Sequence, residues 1–509
     1  MLISTKMDAS EIARLFIRSL IGVFIGSFIL LCLYFRKTYN YWKDRGIIYD
    51  KPIPILGNLG FIMRRSVWDY CYELRKRYPN DYLGIFLAWN PVLVVQSPEL
   101  AKNILIKDFD YFPNRFLYSG YSDPLGSLNL FTVRNPLWKQ LRYELSPMFT
   151  SLRLKKITEL MNINATELVK KIKRDYIEKN NVANLKELFS MYTSDTVAYN
   201  VFGIRVSILS DQPSPLWYIT SHMVKWTFRR GLEFTMIFFV PLVAALLRFK
   251  FFSAEATDYV KNIFWNVAKN RKEVETKNEN DFVNLLLRLK NKLNDSAEPG
   301  SPSAEDVILA QAAVFILGSI ETSSTTIAFF LHEIAHHPEV QEKLFNEISE
   351  AVKRKGHDIL DYNDLLELKY FAACINETLR MHPPVAYLER LCAKDYKLDD
   401  SYTIETGTPV FINVLAIHYN EKYYPESEKF RPERFMSDID TSNAVFLPFG
   451  EGPRFCIGKR YGLMQVKASL AQVLLHYKIE SVLPYKVKTD PYAVIMAPMD
   501  GLSVKFVPR

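Results

Sequence analysis

Cys456 lies in the run Pro448-Phe449-Gly450-Glu451-Gly452-Pro453-Arg454-Phe455-Cys456-Ile457-Gly458-Lys459, a single thiol among glycines just ahead of a helical pattern. Amide N–H groups at a helix N-terminus stabilise a thiolate, and the thiolate is the form that ligates metals or attacks electrophiles. Glycines let the backbone approach a flat ligand closely, and the fork of Arg454 suits a carboxylate. Two nucleotide-binding motifs nearly fit and fail. Gly450-x-Gly452 is followed by Phe455 where a dinucleotide fingerprint needs another glycine, and the spacing from Gly452 to Gly458-Lys459 is one residue too long for a phosphate-binding loop. Cys32, Cys71, Cys374 and Cys392 are too scattered for a zinc pair or a disulfide framework, which points to a reducing compartment.

Two further groupings could do chemistry. Glu377 and Arg380 stand three positions apart, on one face of a helix. Glu321-Thr322 sits within Gly318-Ser319-Ile320-Glu321-Thr322-Ser323, in an otherwise uncharged stretch. A hydroxyl beside a carboxylate in a dry helix is a proton path; the plainer reading is a threonine bonded back to its own helix carbonyl.

The elements that must position these residues are mainly helical. Val307–Ile320 is uncharged, follows a Ser303-x-x-Asp306 cap and can run to His336 before Pro338 stops it. Apolar all round, such a helix must pass through the middle of the protein. Strands are predicted at Tyr82–Leu87 and Pro91–Gln96, joined by a hairpin at Ala88-Trp89-Asn90, with short strands again after residue 385. Asn291–Ser303 reads as a surface loop, and a last helix is predicted near Leu463–His476. Phe234–Leu247 is uncharged but carries Pro241, so it is either buried core or a surface that dips into lipid.

The chain has 509 residues, 49% hydrophobic and 24% charged, with net charge +8. That mix excludes disordered and fibrous classes, and the scattered basic excess disfavours nucleic acid. Ser19–Phe35 is free of charge and just long enough to span a thin bilayer. Arg36, Lys37, Lys43 and Arg45 outweigh the basic residues on its other flank, which places the rest of the chain in the cytosol. An uncleaved signal anchor at 1–36, followed by a catalytic domain at 37–509, is the expectation. The Asn164-Ala165-Thr166 sequon is then expected to stay unglycosylated.

Phe449, Gly452, Arg454, Cys456 and Gly458 match the Phe-x-x-Gly-x-Arg-x-Cys-x-Gly signature, so the chain resembles the cytochrome P-450 superfamily. Glu377-Thr378-Leu379-Arg380 resembles that family's Glu-x-x-Arg motif, with His382-Pro383-Pro384 and Pro432-Glu433-Arg434-Phe435 downstream at the family's spacing. Residues 318–323 resemble its oxygen-activation motif, except that Ser319 stands where glycine is usual. Phrases such as Leu145-Ser146-Pro147 and Asn280-Asp281-Phe282-Val283 look like insect microsomal enzymes of the xenobiotic-metabolising group.

The resemblance implies a mainly α fold with a small β component, one catalytic domain, and haem b ligated by the Cys456 thiolate. It places Trp138, Arg142, Arg115, Arg390 and Arg454 at the haem carboxylates, and Glu321 and Thr322 in oxygen activation. Glu377, Arg380 and Arg434 become a buried structural network. It further implies monooxygenation of a lipophilic small molecule at the endoplasmic reticulum membrane. Electrons come from NADPH through cytochrome P-450 reductase, with cytochrome b5 a second candidate donor. Lys139, Lys155, Lys156, Lys459 and Arg460 are the basic residues near the site that could meet an acidic partner. Phe116–Leu130, Val314–Leu317, Val385–Tyr387 and Val494–Met499 are the expected pocket walls. The alternatives are an electron-independent peroxide isomerase, disfavoured by Glu321-Thr322, and a non-catalytic membrane haem-binding protein.

Overall fold

The computed structural model describes residues 9–59, 66–204, 207–212, 214, 216–217, 227–273, 282–436, 444–499 and 501–509. Its first helix, α1 (Ala9–Tyr39), is continuous through the charge-free stretch, and its apolar side chains, including Phe16, Leu20, Val23, Phe24 and Leu30, are exposed. Among the described residues no protein surface covers them, which is compatible with a membrane anchor. The chain is then stapled to the body. Trp42 is fully buried and donates from Nε1 to the Ile85 carbonyl at 3.0 Å, and Arg45 pairs with Glu405 at 2.6 Å.

Fourteen further elements among the described residues bear on the site. They are β1 (Tyr82–Leu87), β2 (Asn90–Val95), α2 (Leu137–Leu145), α3 (Ser151–Ile172), α4 (Leu185–Phe202), α5 (Phe228–Phe239), α6 (Pro241–Leu246), α7 (Ala254–Glu273), α8 (Phe282–Asp295), α9 (Ala304–His336), α10 (Lys369–Met381), β3 (Tyr387–Leu391), β4 (Pro409–Asn413) and α11 (Lys459–His476). β1 and β2 pair antiparallel in the expected hairpin, β2 runs parallel to β4, and β4 runs antiparallel to β3, giving the order β1-β2-β4-β3.

α9 passes through the core as its pattern requires, packed by α4, α8 and α11. Its N-terminus is capped by Ser303, whose Oγ accepts the Asp306 N–H at 3.4 Å. Between Val307 and Ile334 the helix is buried except along one stripe: residues 314, 315, 317, 318, 319 and 322. Positions 314, 318 and 322 recur every four residues, so the stripe faces one internal opening.

Some boundaries differ from expectation. Asn291–Ser303 opens as the last turn of α8, because Leu286 and Leu289 bury one face and carry the helix to Asp295. Pro241 divides Phe234–Leu247 into α5 and α6: Phe234, Ile237, Phe238 and Phe239 are buried, whereas Leu242, Leu246 and Leu247 are exposed. The first half is therefore buried core, and the second half presents exposed leucines. Asn164 is buried and donates to Thr196 at 3.3 Å, which closes its sequon to modification in the folded chain.

Candidate active site

The Cys456 loop is a backbone construction. The Cys456 N–H donates to the Phe449 carbonyl at 2.8 Å, and the Gly458 N–H is directed at the sulfur. Burial pushes the thiol's pKa up, while that N–H and the charges of Arg142, Arg115 and Lys459 oppose the shift. Although this deeply placed, Cys456 keeps accessible surface, so its sulfur faces an internal opening. Gly452 has φ +72°, and a Cβ there would lie 1.8 Å from the Leu105 carbonyl oxygen. For Gly452 the close approach is to the chain itself rather than to a flat ligand.

α11 starts at Lys459 and carries the loop toward α9: a Cβ on Gly462 would sit 3.7 Å from Ser323 Oγ, next to Thr322. The helix that leads out of the cysteine loop thus packs on α9 within the 318–323 motif. Gly318 faces open space, and a Cβ there would meet nothing within 4 Å. The Thr322 hydroxyl donates to the Gly318 carbonyl at 2.7 Å, the back-bond. Glu321 points elsewhere, since neighbours on a helix diverge by about 100°. Its carboxylate is buried against Lys186 Nζ at 2.9 Å, and the same ammonium donates to Ser324 Oγ at 2.6 Å. Thr322 and Glu321 are therefore not bonded to each other. Lys186 was not foreseen, because nothing in a sequence signals a partner 135 positions away.

The arginines converge. Arg390 and Arg454 are buried, and Arg115 and Arg142 are partly so. Arg454 stacks 4.2 Å over the Trp138 ring and donates to the Pro113 carbonyl, the Val133 carbonyl and Asn114 Oδ1 at 2.7, 3.1 and 3.2 Å. Arg142 lies 4.5 Å over the Phe455 ring. Burial, then repulsion from Arg115 and Arg390, pushes the Arg454 pKa down to about 8; burial with Arg115 takes Arg390 to about 9. One carboxylate, Glu389, faces this group, and its Oε2 already accepts the Phe116 N–H. Arg115 Nη1 and Arg390 Nε are buried without an acceptor. Clustered guanidiniums short of acceptors fit an anionic ligand with carboxylates, and a thiol facing the same interior fits its metal. Such a pair of features matches what the two ends of a haem require.

Behind the loop, Glu377 and Arg380 form a fully buried bidentate pair at 2.7 and 2.9 Å. Arg434 Nε reaches Glu377 Oε1 at 3.3 Å and the Arg431 N–H donates to it at 2.8 Å. Arg380 also donates to the His418 carbonyl at 2.8 Å, a connection the sequence did not signal.

The Met496 N–H of the expected wall Val494–Met499 donates to the carbonyl of Pro384, the residue just before the expected wall Val385–Tyr387, at 2.8 Å. Phe239, Tyr387 and Phe411 pack together, with ring centroids 5.0–6.1 Å apart. Lys139, Lys155, Lys156 and Lys459 are exposed near the cysteine loop; Arg460 is bound to Ser151 Oγ and the Tyr362 hydroxyl.

The family model described as Cytochrome P450 matches residues 49–506. Cytochrome P450 6k1 of Blattella germanica is 31% identical, with 93% of this chain and 94% of the relative covered. Probable cytochrome P450 6w1 of Drosophila melanogaster is 33% identical, covering 89% and 90%. Cytochrome P450 6j1 of Blattella germanica is 32% identical, covering 93% and 95%. The chain therefore belongs to the cytochrome P450 family, as a monooxygenase whose haem iron takes a cysteine thiolate as axial ligand.

Proposed function

We propose that this protein hydroxylates or otherwise monooxygenates lipophilic small molecules at the endoplasmic reticulum membrane, with electrons delivered from NADPH by cytochrome P-450 reductase. The observation that carries the reading is the packing of α11, which leads out of the Cys456 loop, against α9 at the buried Ser323, one residue from Thr322 of the open stripe. Bound haem supplies the oxygen chemistry, and its thiolate ligand favours O–O cleavage.

The chain's own residues have separate tasks. Cys456 is the axial ligand, its charge supported by the Gly458 N–H. Phe449, Gly452 and Gly458 shape its loop, while Arg115, Arg142, Arg390 and Arg454, with Trp138, hold the propionates. Thr322 presents its hydroxyl to the open side, and Glu321 supplies protons after parting from Lys186. Apolar and aromatic walls exclude water and select lipophilic substrates. α1 spans the membrane, the domain at 37–509 stands on its cytosolic side, and Leu242, Leu246 and Leu247 make a second contact with lipid. Lys139, Lys155, Lys156 and Lys459 form the docking face for an acidic donor.

The test is reconstitution in phospholipid vesicles with the reductase and a panel of lipophilic substrates. Oxygenated product that depends on NADPH, on reductase and on the exposed lysines supports the reading. Turnover of organic peroxides with no need for NADPH or reductase contradicts it.

A further inference from the structure

Glu333 lies in the last turn of α9 and is 1% exposed. Its two carboxylate oxygens serve two different parts of the chain. His382, the residue that follows α10, donates from Nε2 to Oε1 at 2.6 Å. The Tyr485 hydroxyl, in the loop after the strand Tyr477–Ser481, donates to Oε2 at 3.0 Å. Among the described residues no lysine or arginine pairs with Glu333; the basic groups within reach are His382 and, at 3.8 Å, His337. Burial pushes the Glu333 pKa up, but the hydrogen bond and charge of His382, with His332 and the Tyr485 hydroxyl, outweigh it, and the net shift is downward. An ionised carboxylate accepts on both oxygens, so it holds both donors at once.

Each donor is braced around that bond. The His382 ring stacks on Phe329 of α9, with centroids 4.5 Å apart and planes at 15°, and the His382 backbone N–H donates to the Thr378 carbonyl at 2.7 Å. The Tyr485 carbonyl accepts from Nε2 of His332 at 2.9 Å. A carbonyl oxygen only accepts, so the His332 proton sits on Nε2, and its Nδ1 is buried without a partner.

The two segments meet again away from Glu333. His382 leads through Pro383, whose ring restricts the backbone, to Pro384, and the Pro384 carbonyl accepts the Met496 N–H at 2.8 Å. Tyr485 leads into residues 488–499, which close on themselves. There the Asp490 N–H donates to the Ala497 carbonyl at 2.8 Å, and the Met499 N–H donates to the Lys488 carbonyl at 2.9 Å. Glu333, His382, Pro384, Met496 and Tyr485 thus form a closed circuit of contacts, and one buried carboxylate sets the spacing of both segments. Val385–Tyr387 and Val494–Met499, the expected ligand walls, lie on this circuit.

We infer that Glu333 is a positioning residue that sets where the 382–387 and 485–499 segments stand relative to each other, and through them how tightly the site holds a lipophilic ligand. The ligand part of this inference rests on the function proposed above; the circuit itself does not.

The experiment uses the full-length haem-loaded protein in lipid and compares Glu333→Gln, His382→Phe and Tyr485→Phe with the unaltered chain. Both phenylalanine variants keep an aromatic ring in place, so each removes one bond to the carboxylate. Hydrogen exchange is followed in the peptide containing Met496 and in the peptides of α11. Imidazole and 4-phenylimidazole are titrated separately, with the haem spectral shift as the signal. Exchange at Met496 should be faster by about ten-fold in Glu333→Gln and by roughly three-fold or more in each of the other two, with α11 unchanged. Tyr485→Phe added to Glu333→Gln should change little further, because both remove the same bond. The Kd of 4-phenylimidazole, whose phenyl group extends beyond the iron, should rise by roughly three-fold or more in all three variants, while that of imidazole stays the same. Unchanged exchange at Met496 in both Glu333→Gln and Tyr485→Phe overturns the circuit, as does equal acceleration in α11, which would make Glu333 a residue of global stability. Equal changes in the two Kd values, or none, overturn the ligand part. If 4-phenylimidazole fails to bind even the unaltered protein, the proposed function falls, and the exchange result alone decides the circuit.

Discussion

The Leu447 N–H donates to Nε2 of His418 across 2.8 Å, while Nδ1 of the same ring faces the Arg380 carbonyl at 3.0 Å. An acceptor at Nε2 fixes the tautomer: the proton sits on Nδ1 and the imidazole is neutral. One side chain therefore bridges the Glu377–Arg380 network to the residue that opens the Pro448–Gly458 loop. Position is transmitted from the buried ion pair to the cysteine through a neutral histidine.

That neutrality has a pH signature. Burial pushes the His418 pKa down to about 3 from an ordinary value near 6.5. Between those values the unfolded chain binds a proton that the folded one does not, so stability falls as pH drops through this window. The loss is about 2 kcal/mol at pH 5 relative to pH 8. Thermal unfolding of the haem-loaded protein should show it, and His418→Gln, which does not titrate, should flatten the dependence between pH 7 and pH 5. An identical slope in both proteins would remove His418 from the explanation.

Arg380→Leu strands the buried Glu377 carboxylate with only Arg434 and the Arg431 N–H, at a cost of about 3–5 kcal/mol. The expected outcome is protein that is expressed but holds little haem. Haem content per chain after purification is the measurement, and normal loading would contradict a supporting role for this network.

These two networks differ in how far the sequence revealed them. Glu377, Arg380 and Arg434 were legible because they sit in recurring local patterns, and the cysteine loop was legible because its signature is continuous. The long core helix was legible from its unbroken apolar run and its serine cap. His418 and Lys186 were not, since their partners lie 29 to 138 positions away and only folding joins them. The Glu321–Thr322 pair shows the opposite limit. Adjacent in sequence, the two side chains diverge on the helix, and only the structure shows Glu321 held by Lys186.

Lys186→Met should leave Glu321 buried without its cation, and Thr322→Ala should remove the hydroxyl from the open side. Loss of a positioned proton donor costs about 10²–10⁴-fold in a proton-transfer step, and water replaces it in part. The visible effect is uncoupling: more hydrogen peroxide released per NADPH consumed, with substrate binding retained. Ser319→Gly and its double mutant with Thr322→Ala test whether the neighbouring hydroxyl substitutes. Product and peroxide are measured together, and unchanged coupling in all of these variants would place the proton path elsewhere.

Deletion of residues 1–36 should weaken attachment to phospholipid vesicles without abolishing it, because Leu242, Leu246 and Leu247 remain exposed. Replacing those three leucines by serine in the truncated protein should release it. Sedimentation with vesicles in low salt is the check, and a truncated protein that is already fully soluble would assign α6 to the protein surface alone.

The central claim is that Cys456 provides the thiolate ligand to the haem iron, and the absorption spectrum of the reduced, carbon-monoxide-bound protein tests it most directly. Thiolate and imidazole ligation give different spectra. Cys456→Ser should lose the thiolate-type spectrum, while Cys71→Ser and Cys392→Ser, whose thiols burial pushes up to about 12 and about 11, should retain it. A thiolate-type spectrum that survives in Cys456→Ser would contradict the account.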